Sequence, residues 1–134
     1  MIFVDTGAWF AAFVPNDADH EAAAAWLATN SAPLLTTDYV LDELLTLLRM
    51  RNEYTRALRL GESLLRQDLA LLHWVSRDEV FDAWETYRRF SDKHWSFTDC
   101  VSRTVMIRRG IDTAFAFDAH FRQFGGLTVV PGQQ

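Results

Sequence analysis

The sequence predicts an α/β fold, a three-layer α/β/α sandwich around a mainly parallel central sheet. Three observations lead there. Stretches of strand and helix character alternate along the chain, the order that gives parallel strands with helices on both faces. The strand-like stretches are apolar without polar alternation, as in strands covered on both sides. At 134 residues, with 49% hydrophobic and 23% charged, the chain has the makings of one soluble domain, 1–134, with a proper core.

Ile2-Phe3-Val4 is a buried strand that stops at Asp5-Thr6-Gly7, and Ala8 to Val14 is the helix it feeds. Pro15-Asn16-Asp17 breaks that pattern. A second helix opens at Asp17 to Glu21, its acids set at the positive end of the helix dipole, and stops near Asn30. Pro33 to Thr36 is a short strand. Thr37-Asp38 starts a long helix from Tyr39 to about Arg51, apolar at 40, 41, 44, 45, 47 and 48. Another amphipathic helix spans about Tyr54 to Arg66, weakened in its middle by Gly61. Leu69 to Val75 is a buried strand. Ser76 and Glu79 then form a capping box for a helix from Val80 to about Phe90. After the polar turn Ser91 to His94, Phe97, Cys100, Val101, Thr104, Val105 and Ile107 define a largely buried helix. It ends at Arg108-Arg109-Gly110, basic residues and then glycine. Thr113 to Phe117 is a strand that Asp118 closes. Leu127 to Val130 is the last, edge strand, and the tail 131–134 is expected to fray.

Cys100 is the only cysteine, which leaves no internal disulfide and no cysteine-based metal site and favours a reducing compartment. No basic region precedes the first apolar run, and no run is long enough to cross a bilayer, so a cytoplasmic location is expected. The formal net charge of -5 does not advertise a nucleic-acid binder. Twelve of the thirteen basic residues are arginine, whose planar fork matches phosphate; the base composition of a genome would give the same enrichment.

Four acids sit at unusual positions. Asp5 and Asp118 each follow an apolar strand, and in a parallel sheet those strand ends lie on one edge, where ligands bind. Helix capping is the plainer explanation of Asp5. Glu43 lies at the margin of the apolar stripe of its helix with Val40, Leu47 and Met50, whereas Asp42 points about 100° further round and is solvated. A carboxylate at the edge of a core needs a partner, and an arginine would serve as well as a metal. Asp99 stands in Ser96-Phe97-Thr98-Asp99, a second capping box, which explains it without further function. Four acids at one edge would repel one another and raise their own pKa values unless a cation were present. Oxygen ligands without cysteine or paired histidine suit Mg²⁺ or Mn²⁺ better than Zn²⁺. Such an ion can activate water for in-line attack at phosphorus.

The ordered set resembles the PIN domain: Asp5-Thr6-Gly7 after a strand, Glu43 in an apolar helix, Asp99 in its Ser-Phe-Thr-Asp turn and Asp118 after a strand. The length and the segment Asn16 to Glu21 look most like the VapC toxin branch. The resemblance covers essentially the whole chain. It implies a Mg²⁺- or Mn²⁺-dependent endoribonuclease, the toxin of a type II toxin–antitoxin system, paired with an antitoxin that blocks the site and assembled as a homodimer. It further implies that Asp5, Asp99 and Asp118 hold metal directly and that Glu43 acts directly or through a bound water. Thr6, Ser96 or Thr98 would orient carboxylates or contact phosphate. Gly7 departs from the pattern, because many relatives have serine there.

The basic residues nearest these positions in sequence are Arg49, Arg51 and Arg103, with Arg122 beyond Asp118, and some of them are expected to line an RNA path. His20, His94 and His120 have no partner at metal spacing and read as surface residues. The five tryptophans and ten phenylalanines read as core and dimer interface, since no run of aromatics interleaved with basic residues suggests base stacking. Other α/β phosphate chemistries fit less well. A receiver domain needs a lysine after a late strand, but Lys93 precedes the Asp99 helix; a haloacid-dehalogenase-like phosphatase needs a second Asp where Gly7 stands; and there is no P-loop. The remaining alternative is a catalytically silent PIN-like module that binds RNA or protein.

Overall fold

The structure, a computed structural model, describes residues 1–132. Its five strands are β1 Ile2–Val4, β2 Leu34–Thr37, β3 Leu71–His73, β4 Thr113–Phe115 and β5 Thr128–Val130. All pair in parallel, in the order β3-β2-β1-β4-β5. The helices are α1 Thr6–Phe13, α2 His20–Thr29, α3 Asp38–Met50, α4 Tyr54–Leu65, α5 Arg77–Arg89, α6 Phe97–Arg109 and α7 His120–Gln123. No helix among the described residues is long and apolar enough to cross a membrane.

The central strand is the first one. Phe3 sits opposite Leu35 of β2 on one side and Ala114 of β4 on the other, and Phe3 and Val4 are fully buried. That burial on both faces is why the strand reads as an uninterrupted apolar run. β1 and β4 are direct neighbours although 111 residues separate their starts (2 and 113). The ladder between them continues past the strand, as the Asp5 amide donates to the Phe115 carbonyl at 3.1 Å. The Asp5 carbonyl then accepts from the amides of Ala8 and Trp9 and starts α1. Asp5 is thereby fixed at the junction of strand and helix.

The helix phases follow the apolar spacing. α3 buries Val40, Leu41, Leu44 and Leu48, leaves Asp42 exposed and holds Glu43 half-buried. Both capping boxes form. The Ser76 hydroxyl accepts from the Glu79 amide and Ser96 from Asp99, while each acid accepts from the amide of its serine. α4 runs unbroken through Gly61, where a Cβ would lie 3.0 Å from a Leu45 methyl carbon. The glycine marks a close approach of α3 and α4.

Several boundaries differ from the sequence reading. The strand expected over 69–75 is paired only at Leu71–His73, and α2 begins at His20, after the Asp17 side chain accepts from the Asp19 amide. The strand expected to run to Phe117 ends at Phe115, so Asp118 lies in the connection to α7, three residues past the strand. α7 itself was not foreseen. It is one turn long and held by the burial of Phe121 and Phe124, whose rings meet at 4.8 Å, and Phe121 stacks on Phe3. Such a turn is too short to show helical periodicity in sequence. Of the tail expected to fray, residues 133 and 134 lie outside the described residues.

Gly61→Val presses a branched side chain against the Leu45 methyls between α3 and α4, and overpacking of this kind costs about 1–3 kcal/mol. The expected result is a melting temperature lower by several degrees with no loss of secondary structure by circular dichroism. An unchanged melting temperature would mean that Leu45 yields freely.

Candidate metal centre

Asp5 occupies the N-cap position of α1, yet its side chain makes no capping hydrogen bond. The capping explanation therefore fails for its carboxyl group. That group is 4% exposed, and no lysine, arginine or histidine nitrogen among the described residues lies within 4.0 Å of it. Burial pushes its pKa up to about 8, helped by the negative charge of Asp99 and, more weakly, of Glu43 and Asp118; only the Thr6 backbone amide pulls the other way. Beside it the Thr6 hydroxyl is buried with no hydrogen-bond partner.

Asp99 is 6% exposed at the start of α6, beside the strand ends. One oxygen, Oδ2, accepts from the Ser96 amide at 3.0 Å and lies 2.8 Å from His120 Nδ1. An ionised carboxylate can only accept, so Nδ1 carries the proton in that contact. Neither contact uses Oδ1. Capping and facing a site are thus compatible for this residue.

Asp118 is the exposed member. Its Oδ1 accepts from the His120 amide at 2.9 Å, and His120 Nδ1 lies 3.4 Å away. Asp99, Asp118 and His120 each offer a ligand atom, all within 4.8 Å of one another. Glu43 is half-buried on α3 and has no ion-pair partner among the described residues, so the arginine expected as one explanation of this acid is not there. The charges of all three other acids act on Asp5, which makes one neighbourhood of β1, α3, α6 and the β4–α7 connection.

Sequence reasoning missed His120, which it placed among surface histidines without partners. The imidazole is 27% exposed and bridges Asp99 and Asp118. The available signal was the Asp118-Ala119-His120 spacing, but only the unforeseen turn α7 aims that ring at α6. His20 is also partly buried, with Nδ1 2.8 Å from the Ala11 carbonyl, whereas His94 is exposed. A Cβ at Gly7 would meet nothing within 4 Å, so the missing serine hydroxyl is a difference of chemistry rather than of space. None of the four candidate arginines lies within 4.0 Å of an acid of the cluster. Arg49 covers the Tyr54 ring, Arg51 faces Phe10, and Arg103 stacks over Phe90 and Trp95.

The donor set suits a hard divalent cation. Carboxylate oxygens dominate, no thiolate is available, and a buried carboxyl lacks any cation of the protein's own. Among the described residues the ligand atoms that come within 4.8 Å of one another are those of Asp99, Asp118 and His120, and the charge of Asp99 acts in turn on the buried Asp5 carboxyl.

The model of the family described as PIN domain matches residues 2–127. The 23S rRNA-specific endonuclease VapC20 of Mycobacterium tuberculosis is 35% identical over 131 residues, 98% of this chain and 99% of its own length. A crystal structure of M. tuberculosis VapC20, described as a sarcin–ricin loop cleaving toxin, superposes with a TM-score of 0.88 at 32% identity, covering 93% of this chain and 95% of that one. FitAcB from Neisseria gonorrhoeae has a TM-score of 0.70 at 15% identity over 96% of each chain, a likeness of fold.

The raised Asp5 pKa gives a signed pH effect. Below about pH 4 the carboxyl is protonated folded and unfolded. Between about 4 and 8 only the unfolded chain ionises, so Asp5 makes the metal-free protein progressively less stable, and above about 8 the penalty is complete. Asp5→Asn should stabilise the metal-free protein at pH 8, by on the order of 5 kcal/mol, and hardly at all at pH 4. Urea titrations of both proteins in EDTA at the two pH values measure the difference. An equal effect at both would remove the buried charge as the cause.

Proposed function

The chain belongs to the PIN domain family, and from that membership we propose that it is a VapC-type endoribonuclease, the toxin of a toxin–antitoxin pair. The reading extends to a Mg²⁺- or Mn²⁺-dependent cut of RNA phosphodiesters, a cytoplasmic site of action, a homodimer and a cognate antitoxin that blocks the site. It treats 1–134 as a single PIN unit. One observation carries it: a buried Asp5 carboxyl with no capping bond, on which the charges of Asp99, Glu43 and Asp118 all act. Such a group is costly to keep unless something cationic joins it.

In this mechanism Asp5, Asp99 and Asp118 would hold the ion. When bound, the cation supplies an activated water and neutralises charge on the phosphate during in-line displacement. His120, through Nδ1–H, would fix Oδ2 of Asp99, the oxygen that also accepts from the Ser96 amide, and leave Oδ1 for a ligand. Glu43, with no ion-pair partner, is the carboxylate able to accept a proton from the attacking water, directly or through a second water. Without the ion these same acids would repel the substrate, so cleavage should be strictly metal-dependent. The identity to VapC20 supports a narrower reading, in which the substrate is likewise a loop of 23S rRNA.

Purified protein should cleave RNA with Mn²⁺ or Mg²⁺ and stop in EDTA. Asp5→Asn and Asp99→Asn should each lower the rate at least about 100-fold with circular dichroism unchanged, whereas Asp42→Asn, on the solvent side of α3, should stay within about twofold. Full activity in Asp99→Asn would take that residue out of the centre. A wild-type chain that neither cleaves nor gains stability from Mn²⁺ would be the silent binding module instead. Expression without an antitoxin should slow growth of the host, and Asp99→Asn should relieve it.

A further inference from the structure

Two of the tryptophans assigned to core or dimer interface by sequence, Trp74 and Trp84, stand 64% and 48% exposed. Trp84 does not stand alone. Its ring stacks on that of Tyr87, itself half-exposed, with centroids 5.9 Å apart and planes 19° from parallel. Tyr87 meets Phe97 edge-on at 6.1 Å, and Phe97 meets Tyr39 at 6.1 Å. Phe97 lies two residues before Asp99 in the first turn of α6, and Tyr39 lies one turn before Glu43 on α3. The row of rings therefore leads from the outer face of α5 to the acid cluster.

Trp84 and Tyr87 line a groove of about 500 Å³ between α5 and the chain entering α6, within the roughly 300–1,000 Å³ of ordinary ligand clefts. Arg88, Lys93 and His94 line it too. Its far wall is Trp95, whose indole N–H donates to Gln123 Oε1 at 2.9 Å, in the same short helix that presents His120. The Arg103 guanidinium lies 6.0 Å from the Trp95 ring and 5.4 Å from that of Phe90, bracing that wall. The cations are available. Arg88 pairs with Glu85 at 2.9 Å and Lys93 approaches Asp92 at 3.7 Å, but three of these four side chains are largely exposed and Lys93 is a third exposed. Ion pairs of this kind are worth little and exchange readily for phosphate.

We infer that this groove binds unpaired nucleotides of the RNA substrate, a base stacking on Trp84 and Tyr87 while Arg88 and Lys93 take the neighbouring phosphates. Stacked aromatics beside exposed cations are the chemistry of single-strand binding, tolerant of sequence because each base has a π-face. The groove places cations where an acidic chain of net charge -5 otherwise repels RNA, and Phe97 and Tyr39 continue its rings toward the helix turns that carry Asp99 and Glu43. The inference rests on the nuclease reading.

The test uses a labelled single-stranded oligoribonucleotide on the full chain carrying Asp99→Asn, followed by fluorescence anisotropy. Trp84→Ala should weaken binding about tenfold and Trp84→Phe should retain most of it. Arg88→Ala should lower the slope of log affinity against log salt by about one. With Asp99 intact, Trp84→Ala should raise KM about tenfold and leave kcat within about twofold. Sedimentation of each variant reports the oligomeric state. If Trp84→Ala and Tyr87→Ala bind and cleave like wild type, the groove is not the RNA path and the nuclease reading survives. If wild type neither binds nor cuts RNA, both fall. Loss of binding only together with dissociation of a dimer would make this face a contact between copies and overturn the inference.

Discussion

The constraint on which the rest depends is the burial of a carboxyl group that the protein does not itself neutralise. Asp5 is held by its backbone at both ends, its amide in the β1–β4 ladder and its carbonyl at the start of α1. The backbone position is thereby fixed at the junction, where the carboxyl is 4% exposed. With Asp99, Glu43 and Asp118 adding negative charge, the pKa rises to about 8. A core of this size could easily have placed an apolar residue there. Retaining an acid in that position sets a free-energy cost that a bound cation would offset.

The sheet order makes this convergence possible. With β1 in the centre, the chain's first strand takes β2 on one side and β4 on the other, and the helices after β1 and β2 start from the same edge. Asp5 arrives from the strand itself, Glu43 from the second turn of α3, and Asp99 from the first turn of α6. The capping box of Ser96 does two jobs here: it satisfies the helix start and fixes the rotation of the Asp99 carboxylate. The second box, at Ser76, has no such consequence. Burial raises the Glu79 pKa, but bonds from the Ser76 amide and from His73 outweigh it, so this acid stays ionised and internally paired. Each boxed acid has a histidine beside it, His73 at 2.9 Å from Glu79 and His120 at 2.8 Å from Asp99, but only Asp99 also stands next to a second buried acid, Asp5.

The aromatic side chains divide in a similar way. Trp9, Phe3, Phe115 and Phe121 are fully buried and hold the layers together, and Trp9 is satisfied by the Thr36 hydroxyl at 3.2 Å. Trp84, Tyr87 and Phe81 on α5 are about half exposed. Helical spacing of large apolar groups normally means a core-facing stripe, yet α5 turns only Ala83 and Glu79 fully inward. On α5 the large rings lie on the face away from the core instead.

By itself the sequence determined the layer architecture, the identity and order of the five strands, the phase of α3 and both capping boxes. These follow from local rules, namely periodicity, turn chemistry and dipoles, that act over a few residues. It also named four acids, because each broke a local pattern. Only the tertiary structure decided that β1 and β4 are neighbours, that no arginine reaches Glu43, and that His120 joins Asp99 and Asp118 through a turn too short to leave a periodic trace. It alone turned the α5 rings outward. Local rules say which face of a helix is apolar; what covers that face, and which charges meet across the sheet edge, depends on contacts between residues far apart in the chain.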